Sequence, residues 1–115
     1  MDRPIKPVSV AVIVVTFNSA EHLARTLTAL RLQTLRPKRV IVVDNGSSDE
    51  SVAMVEAMTP NVEIVRSAEN LGFAKANNLA IGMADDCEFV ALLNADAAPE
   101  PRWLEELTGA IEGLF

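Results

Sequence analysis

A chain of 115 residues is long enough for one domain around a single hydrophobic core, and we expect one domain over residues 1–115. Half of the residues are hydrophobic, 23% are charged and 4% are aromatic, which is typical of a globular α/β protein and argues against a disordered or fibrous chain. The formal net charge of −6 argues against a nucleic-acid partner, because phosphate binding depends on clustered lysines and arginines.

The expected compartment follows from what the sequence lacks. No stretch reaches the roughly twenty apolar residues of a membrane span, and Met1 to Pro4 do not open a secretory signal. The single Cys87 has no partner for an intrachain disulfide and is interpreted as a small buried apolar side chain. We expect a cytoplasmic protein, with peripheral attachment of the full-length protein to a membrane as the alternative.

Strands and helices alternate in the first half of the chain. The β-branched run from Val8 to Val15 predicts a strand covered on both faces. Ser19 is expected to cap a helix whose leucines recur at three- and four-residue spacing. A second buried strand is predicted at Val40 to Val43, and Ser47 and Glu50 have the spacing of a capping box at the start of a second helix.

The second half continues the alternation. Pro60 is expected to end the second helix, and a short third strand follows at Val62 to Val65. An alanine-rich helix is predicted within Gly72 to Gly82, a fourth strand at Phe89 to Leu93, and a last helix after Ala98 to Pro101. This order predicts a Rossmann-like α/β fold, with a mainly parallel sheet and helices on both faces.

Three of the four predicted strands end in polar residues. Open parallel sheets bind ligands outside the carboxyl ends of their strands, so we expect a binding site where these residues meet. The polar ends are Thr16-Phe17-Asn18, Asp44-Asn45-Gly46 and Asn94-Ala95-Asp96.

Two carboxylates in these clusters have both a functional and a structural interpretation. Asp44 follows four β-branched residues and is suited to accept a hydrogen bond from the imide N–H of uracil or thymine; alternatively it begins a turn or caps the next helix. Asp96 offers an oxygen ligand for a divalent cation that shares its shell with substrate phosphates; alternatively it is a turn or cap residue before Pro99.

The segment from Asn70 to Asn78 places Gly72 and small residues at a helix start, where free backbone N–H groups can face a phosphate. The glycine spacing of a Walker loop or a dinucleotide fingerprint is absent, so a capped helix packed closely on the sheet is the alternative.

Structural roles are expected for several other conspicuous residues. His22 is predicted to lie on the surface, and Asp85 and Asp86 to form a solvated turn. Trp103 and Leu107 have helical spacing and are expected in the core.

Together these motifs resemble those of the family 2 glycosyltransferases with the GT-A fold, especially the rhamnosyltransferase-like branch. The resemblance is carried in order by Val15 to Asn18, Leu23, Leu27, Leu30, Gln33, Val42 to Asp49, Asn70 to Ala74, Asn77-Asn78, Leu92 to Asp96, Pro99 and Trp103-Leu104. It implies the nucleotide-sugar-binding half of an inverting transferase of cell-wall or polysaccharide biosynthesis.

The resemblance also implies site residues. Thr16, Phe17, Asn18 and Asp44 would surround the base and ribose, Asn70, Gly72, Phe73 and Asn77 would lie along the nucleotide or donor sugar, and Asn94 and Asp96 would form the Asp-x-Asp-like motif. Asn94 stands where the family has its first aspartate, so Asp96 is the implied ligand for Mg²⁺ or Mn²⁺. The general base is expected beyond Phe115, with the acceptor half of a longer enzyme, so no catalytic residue is assigned and this fragment alone is expected to be inactive.

The implied partners are a UDP- or dTDP-sugar donor and a glycan or lipid-linked acceptor. The alternative is a non-catalytic module for nucleotide binding or subunit association. A nucleotidyltransferase is disfavoured because the segment from Thr16 to Ser19 contains no glycine, lysine or arginine. An exposed edge of the sheet is expected to favour a homo-oligomer.

Overall fold

The computed structural model describes residues 8–58 and 61–112, and these form a layered α/β structure. The elements are β1 Val10–Thr16, α1 Ala20–Arg31, β2 Arg39–Asn45, α2 Ser51–Met58, β3 Val62–Ser67, α3 Phe73–Met83, β4 Phe89–Asn94 and α4 Trp103–Glu112. The strands form one parallel sheet in the order β3-β2-β1-β4, which confirms the predicted fold class. Pro60, expected to end the second helix, lies outside the described residues.

The central strand β1 is covered on both faces, as its β-branched sequence predicts. Val10, Val12 and Val14 pack with residues of α1, α2 and α4 on one face. Ala11 and Ile13 pack on the other face against three alanines of α3, namely Ala76, Ala80 and Ala84. The alanines let the α3 backbone approach the sheet closely. Helices therefore lie on both faces, and β1 holds a rigid position in the middle.

The starts of α1 and α2 differ from the predicted caps. Ser19 precedes α1, but its hydroxyl donates to the carbonyl of Phe17 at 2.9 Å and does not cap the helix. The predicted capping box is wrong, because α2 begins at Ser51. Asp49 serves both helices: its Oδ2 accepts the backbone N–H of Ala20 at 3.2 Å, and its Oδ1 accepts that of Ser51 at 3.0 Å. At α1 a contact from a distant loop thus takes the place of the predicted cap, whereas at α2 Asp49 supplies a local contact in place of Ser47.

The last helix is turned by one position from its predicted orientation. Leu104 and Thr108 are buried, whereas Leu107 is 38% exposed, so its expected place in the core is wrong. Trp103 is half-buried and packs against the core as expected. Gln33 sets this orientation, since its Oε1 accepts the backbone N–H of Leu104 at 3.0 Å and its Nε2 donates to the carbonyl of Glu100 at 2.7 Å.

An ion-pair network joins β2, β3 and the turn before β4 at the amino end of the sheet. The Arg39 guanidinium donates to both Glu63 carboxylate oxygens, at 2.8 and 2.6 Å, and to Asp86 Oδ1 at 2.9 Å. It also donates to the carbonyl of Met83. These hydrogen bonds from Arg39 hold the pKa values of the Glu63 and Asp86 carboxyls below their usual range. The predicted solvated turn is therefore exposed but tied to the sheet.

The remaining structural expectations are met where the chain is described. Cys87 is half-buried beside the α3 cluster, and burial raises the pKa of its thiol. His22 is exposed. No helix within residues 8–58 and 61–112 is long and apolar enough to cross a membrane.

Candidate functional site

The carboxyl edge of the sheet brings the three polar clusters together, because all four strands run in the same direction. Thr16 at the end of β1 is in register with Asp44 of β2. Asp44 is in turn in register with Arg66 of β3, and Val15 is in register with Asn94 of β4. The structure therefore confirms that the three polar clusters meet at one edge of the sheet.

Asp44 uses its two carboxylate oxygens differently. Oδ2 accepts the backbone N–H of Ser47 at 3.2 Å and closes the turn after β2. Oδ1 is buried and has no hydrogen-bond partner among the described residues, and the same is true of the Thr16 hydroxyl beside it. The two residues are only 4% and 1% exposed. A buried polar atom without a partner costs free energy, so a ligand that donates to Oδ1 is favoured at this point. The turn interpretation of Asp44 is therefore confirmed for Oδ2, whereas a ligand contact at Oδ1 stays a prediction.

A cleft of about 360 Å³ opens beside Asp44. Its lining consists of Asp44, Gly46, Ser47, Arg66, Ser67 and Ala68. Arg66 was not singled out from the sequence, although its position at the end of the third strand was the available signal. A larger cavity of about 550 Å³ lies near the start of β2, at the opposite end of the sheet from the polar clusters.

Asn18 ties the loop after β1 to the loop after β2. Its backbone N–H donates to the Ser47 hydroxyl at 2.9 Å, and its side-chain oxygen accepts the backbone N–H of Ser48 at 2.8 Å. This contact holds Asn18 at a φ of 46°, a left-handed conformation that asparagine tolerates. Phe17, the preceding predicted site residue, is 44% exposed at the same edge.

Asn45 fixes the loop that leads into α3. Its Oδ1 accepts the backbone N–H of Leu71 at 2.7 Å, and its Nδ2 donates to Asn70 Oδ1 at 2.9 Å. Asn70 Oδ1 also accepts the backbone N–H of Gly72 at 2.8 Å. The predicted residues Asn70 and Gly72 are thereby held beside the end of β2. Asn45 was not among the predicted site residues; it is 3% exposed and connects the end of β2 to this loop.

Two other predicted site residues, Phe73 and Asn77, lie one turn apart in α3 and differ in exposure. Phe73 is 59% exposed next to Gly72. Asn77 is 4% exposed, and its Nδ2 donates to the carbonyl of Phe73 at 3.0 Å within the helix. Part of the hydrogen-bonding capacity of Asn77 is thus used inside α3, as in the alternative of a helix packed closely on the sheet.

Asn94 is the exposed last residue of β4, and Asp96 is exposed in the turn that follows it. The Asn94 carbonyl accepts the backbone N–H of Ala97 at 3.1 Å, and the buried Thr26 hydroxyl lies 2.8 Å from the carbonyl of Ala95. Within the described part of the chain, no group of three or more His, Cys, Asp or Glu side chains is placed to hold a metal ion. Because Mg²⁺ takes one or two protein carboxylates and completes its shell with water and substrate phosphates, a single carboxylate can suffice, and cation binding by Asp96 stays a prediction.

Comparisons with known proteins give a consistent family. The family described as glycosyl transferase family 2 matches residues 11–114. The N-acetylglucosaminyl-diphospho-decaprenol L-rhamnosyltransferase of Mycobacterium tuberculosis is 33% identical over 109 residues, which cover 86% of this chain and 36% of that protein. Glycosyltransferase AglE of Haloferax volcanii is also 33% identical over 109 residues, covering 90% of this chain and 36% of that protein.

Solved structures of similar fold carry nucleotide sugars. S. aureus TarS 1-349 in complex with UDP-GlcNAc superposes with a TM-score of 0.81 at 28% identity, covering 92% of this chain and 32% of that chain. The mannosyltransferase PcManGT from Pyrobaculum calidifontis, in complex with GDP-Man and Mn²⁺, gives a TM-score of 0.76 at 28% identity, covering 97% and 35%. The chain thus spans about a third of the length of the relatives that it matches.

Proposed function

Because this chain belongs to glycosyl transferase family 2, we propose that it forms the donor site of an inverting glycosyltransferase that uses a UDP- or dTDP-sugar. The observation that carries the proposal is the unpartnered Oδ1 of Asp44 beside a cleft at the carboxyl edge of the sheet. The imide N–H of uracil or thymine is a donor that this oxygen accepts. The TarS complex with UDP-GlcNAc supports a uridine nucleotide as one such donor.

The diphosphate is proposed to lie between the α3 start and the turn after β4. Gly72 exposes the backbone at the start of α3, and the helix dipole there favours negative charge. Asp96 would hold Mg²⁺ or Mn²⁺ with the amide oxygen of Asn94 or a water nearby, and the PcManGT complex with Mn²⁺ supports a divalent cation. When bound, the cation neutralises the charge that develops on the departing diphosphate.

Transfer is proposed as a single displacement, in which an acceptor hydroxyl attacks the anomeric carbon. This chain contributes binding and orientation: Asp44 fixes the base and the Asn45-supported loop fixes the wall beside it. The general base and the acceptor site are proposed to come from outside these residues, consistent with coverage of 36% of the rhamnosyltransferase relative. That relative's name includes a diphospho-decaprenol group, which supports a lipid-linked acceptor. A cytoplasmic location, with the full-length protein peripheral at the membrane, is part of the same proposal.

Self-association through β4 is part of the same proposal. This strand forms one edge of the sheet, and its Val90 and Leu92 are 37% and 47% exposed. Unlike β3 at the other edge, which carries Glu63 and Arg66, it has no charged residue. Edges without charges favour strand pairing between chains. Light scattering that finds a strict monomer at high concentration would contradict this part alone.

Calorimetry with UDP and dTDP in the presence of Mn²⁺ tests the donor site. We expect the wild-type chain to bind both, and Asp44→Asn to bind them about 10- to 100-fold more weakly, the range for a lost hydrogen bond to a charged group. The amide oxygen of the variant can keep the turn to Ser47. The matched control is Asp85→Asn, which changes an exposed carboxylate in the turn after α3 and is expected to leave binding unchanged.

Two results would count against the donor site. Absence of nucleotide binding by the wild-type chain would overturn it, as would equal affinities for the wild type and Asp44→Asn. If Asp96→Asn leaves the dependence of UDP binding on Mn²⁺ unaltered, the assignment of Asp96 to the cation is wrong.

A further inference from the structure

Arg66 completes a row of three polar side chains across the sheet. Thr16, Asp44 and Arg66 are in register on the adjacent parallel strands β1, β2 and β3. Residues in register on neighbouring strands project from the same face of a sheet, about 5 Å apart. The row therefore presents a hydroxyl, a carboxylate and a guanidinium side by side at the carboxyl edge.

The two charged members of this row do not satisfy each other. Among the described residues, Asp44 Oδ1 has no hydrogen-bond partner and the Arg66 side chain makes no hydrogen bond or ion pair. Arg39, at the other end of β2, is by contrast paired with both Glu63 and Asp86. Since Asp44 and Arg66 line the same cleft, an acceptor and a set of donors both remain available there to one ligand.

We infer that Arg66 reads the nucleobase together with Asp44, a role that rests on the proposed function and extends it. Asp44 accepts the ring N–H, and the Arg66 guanidinium donates to the carbonyl oxygen next to it. Uracil, thymine and guanine present this pattern of a ring N–H beside a carbonyl. Cytosine and adenine present the reverse pattern, a ring nitrogen acceptor beside an amino donor, and leave both protein groups unpaired.

Recognition of a base by both side chains is consistent with a cleft in which Asp44 and Arg66 form no ion pair with each other. An ion pair between them would satisfy both groups without a ligand, whereas separated groups offer complementary partners to a base edge. Asp44 is buried whereas Arg66 is exposed, so an analogue that lacks the matching ring N–H is rejected mainly at the buried Asp44 oxygen, and Arg66 adds a contact that only a neighbouring carbonyl can accept. Arg66 is thus a specificity-determining residue for the donor nucleotide.

Three ligands distinguish a contact of Arg66 with the base from a contact with the diphosphate. Uridine differs from UDP in lacking the diphosphate, and CDP differs from UDP in the base. Their dissociation constants are measured for the wild-type chain, Arg66→Gln and Arg66→Lys by calorimetry, with NMR titration for the weaker uridine. We expect Arg66→Gln to weaken uridine and UDP by the same factor, about 10-fold or more. Arg66→Lys keeps the charge but loses the planar fork, so an intermediate loss is expected. The preference for UDP over CDP falls in both variants.

Arg36→Gln is the matched control. It neutralises an exposed arginine that lines the cavity near the start of β2, and it is expected to change no affinity. Circular dichroism and the urea midpoint of each variant establish that it is folded.

The outcomes distinguish this inference from the proposed function. Unchanged uridine affinity in Arg66→Gln overturns it, and so does a loss confined to UDP, which would assign the guanidinium to the diphosphate. Binding that is lost in Asp44→Asn but kept in Arg66→Gln likewise refutes the role of Arg66 while leaving the donor site intact. Failure of the wild-type chain to bind uridine or UDP refutes the proposed function itself.

Discussion

Among the glycines that the structure describes, Gly46 is expected to be the least able to accept a side chain. It has a φ of 85°, a left-handed conformation, and a Cβ built on it would lie 3.1 Å from the carbonyl carbon of Glu69 and 3.2 Å from the backbone N of Asn70. The first effect costs about 1–2 kcal/mol for an L-residue. The second requires backbone movement, because no flexible side chain can give way. We expect Gly46→Ala to lower the free energy of unfolding by about 3 kcal/mol in total.

The functional consequence of the same change follows from the position of the contact. Glu69 and Asn70 belong to the loop that Asn45 holds beside the cleft. If the new methyl group displaces this loop, UDP binding is expected to weaken along with stability. Urea unfolding followed by circular dichroism measures the first effect, and calorimetry with UDP measures the second.

Gly82→Ala is the control for adding the same methyl group. Gly82 lies in α3, and a Cβ there meets nothing within 4 Å. Alanine is favoured over glycine in a helix interior, so this variant is expected to be more stable than the wild type by about 0.5–1 kcal/mol. A Gly46→Ala protein as stable as the wild type would refute the reasoning from the left-handed backbone and the close approach of Glu69.

Two further predictions concern the scaffold. Because the pKa values of Glu63 and Asp86 are lowered in the folded protein, their ion pairs with Arg39 stabilise it fully at neutral pH. This stabilisation is lost as the pH falls below about 4.5 and through the lowered pKa values. The urea midpoints at pH 7 and pH 3 are therefore expected to differ less in Glu63→Gln than in the wild type, and an equal difference would contradict this. Gln33→Ala leaves the backbone groups of Leu104 and Glu100 without their partner, so the free energy of unfolding in urea is expected to fall by about 2–3 kcal/mol. The control is the exposed Thr34→Ala, for which a fall of about 0.5 kcal/mol or less is expected. Equal losses would show that Gln33 does not anchor α4.

The fold was predictable because its signals are local and repeated. β1 is an unbroken β-branched run, and a strand of that kind needs cover on both faces, which fixes a three-layer arrangement. Short connections between alternating elements then require a parallel sheet with crossovers. The convergence of Thr16, Asp44 and Asn94 at one edge follows from strand direction alone, so it could be predicted without the register.

What the sequence did not predict depends on contacts between distant residues. Ser47 and Glu50 have the spacing of a capping box, but the Ser47 hydroxyl accepts a hydrogen bond from Asn18, 29 positions away. Leu107 and Leu104 are equally apolar, and which of them is buried depends on tertiary contacts such as that from Gln33 to the backbone N–H of Leu104. Local spacing predicts which residues are able to cap or pack, whereas tertiary partners decide which of them do.

The same distinction separates two kinds of polar residue at the carboxyl edge. Asn18 bonds to the loop after β2, Asn45 bonds to Asn70, and Asn70 bonds to Gly72 in its own loop. These three asparagines therefore hold the loops at this edge in place. Asp44 and Thr16 lie at the same edge, yet each keeps a buried oxygen that has no partner in the part of the chain that the structure describes. Burying a polar oxygen without a partner destabilises the folded chain, so the presence of two such oxygens at a rigid strand end supports the proposed ligand contact. The unpartnered atoms therefore locate the expected donor contact more narrowly than the polar motifs that surround them.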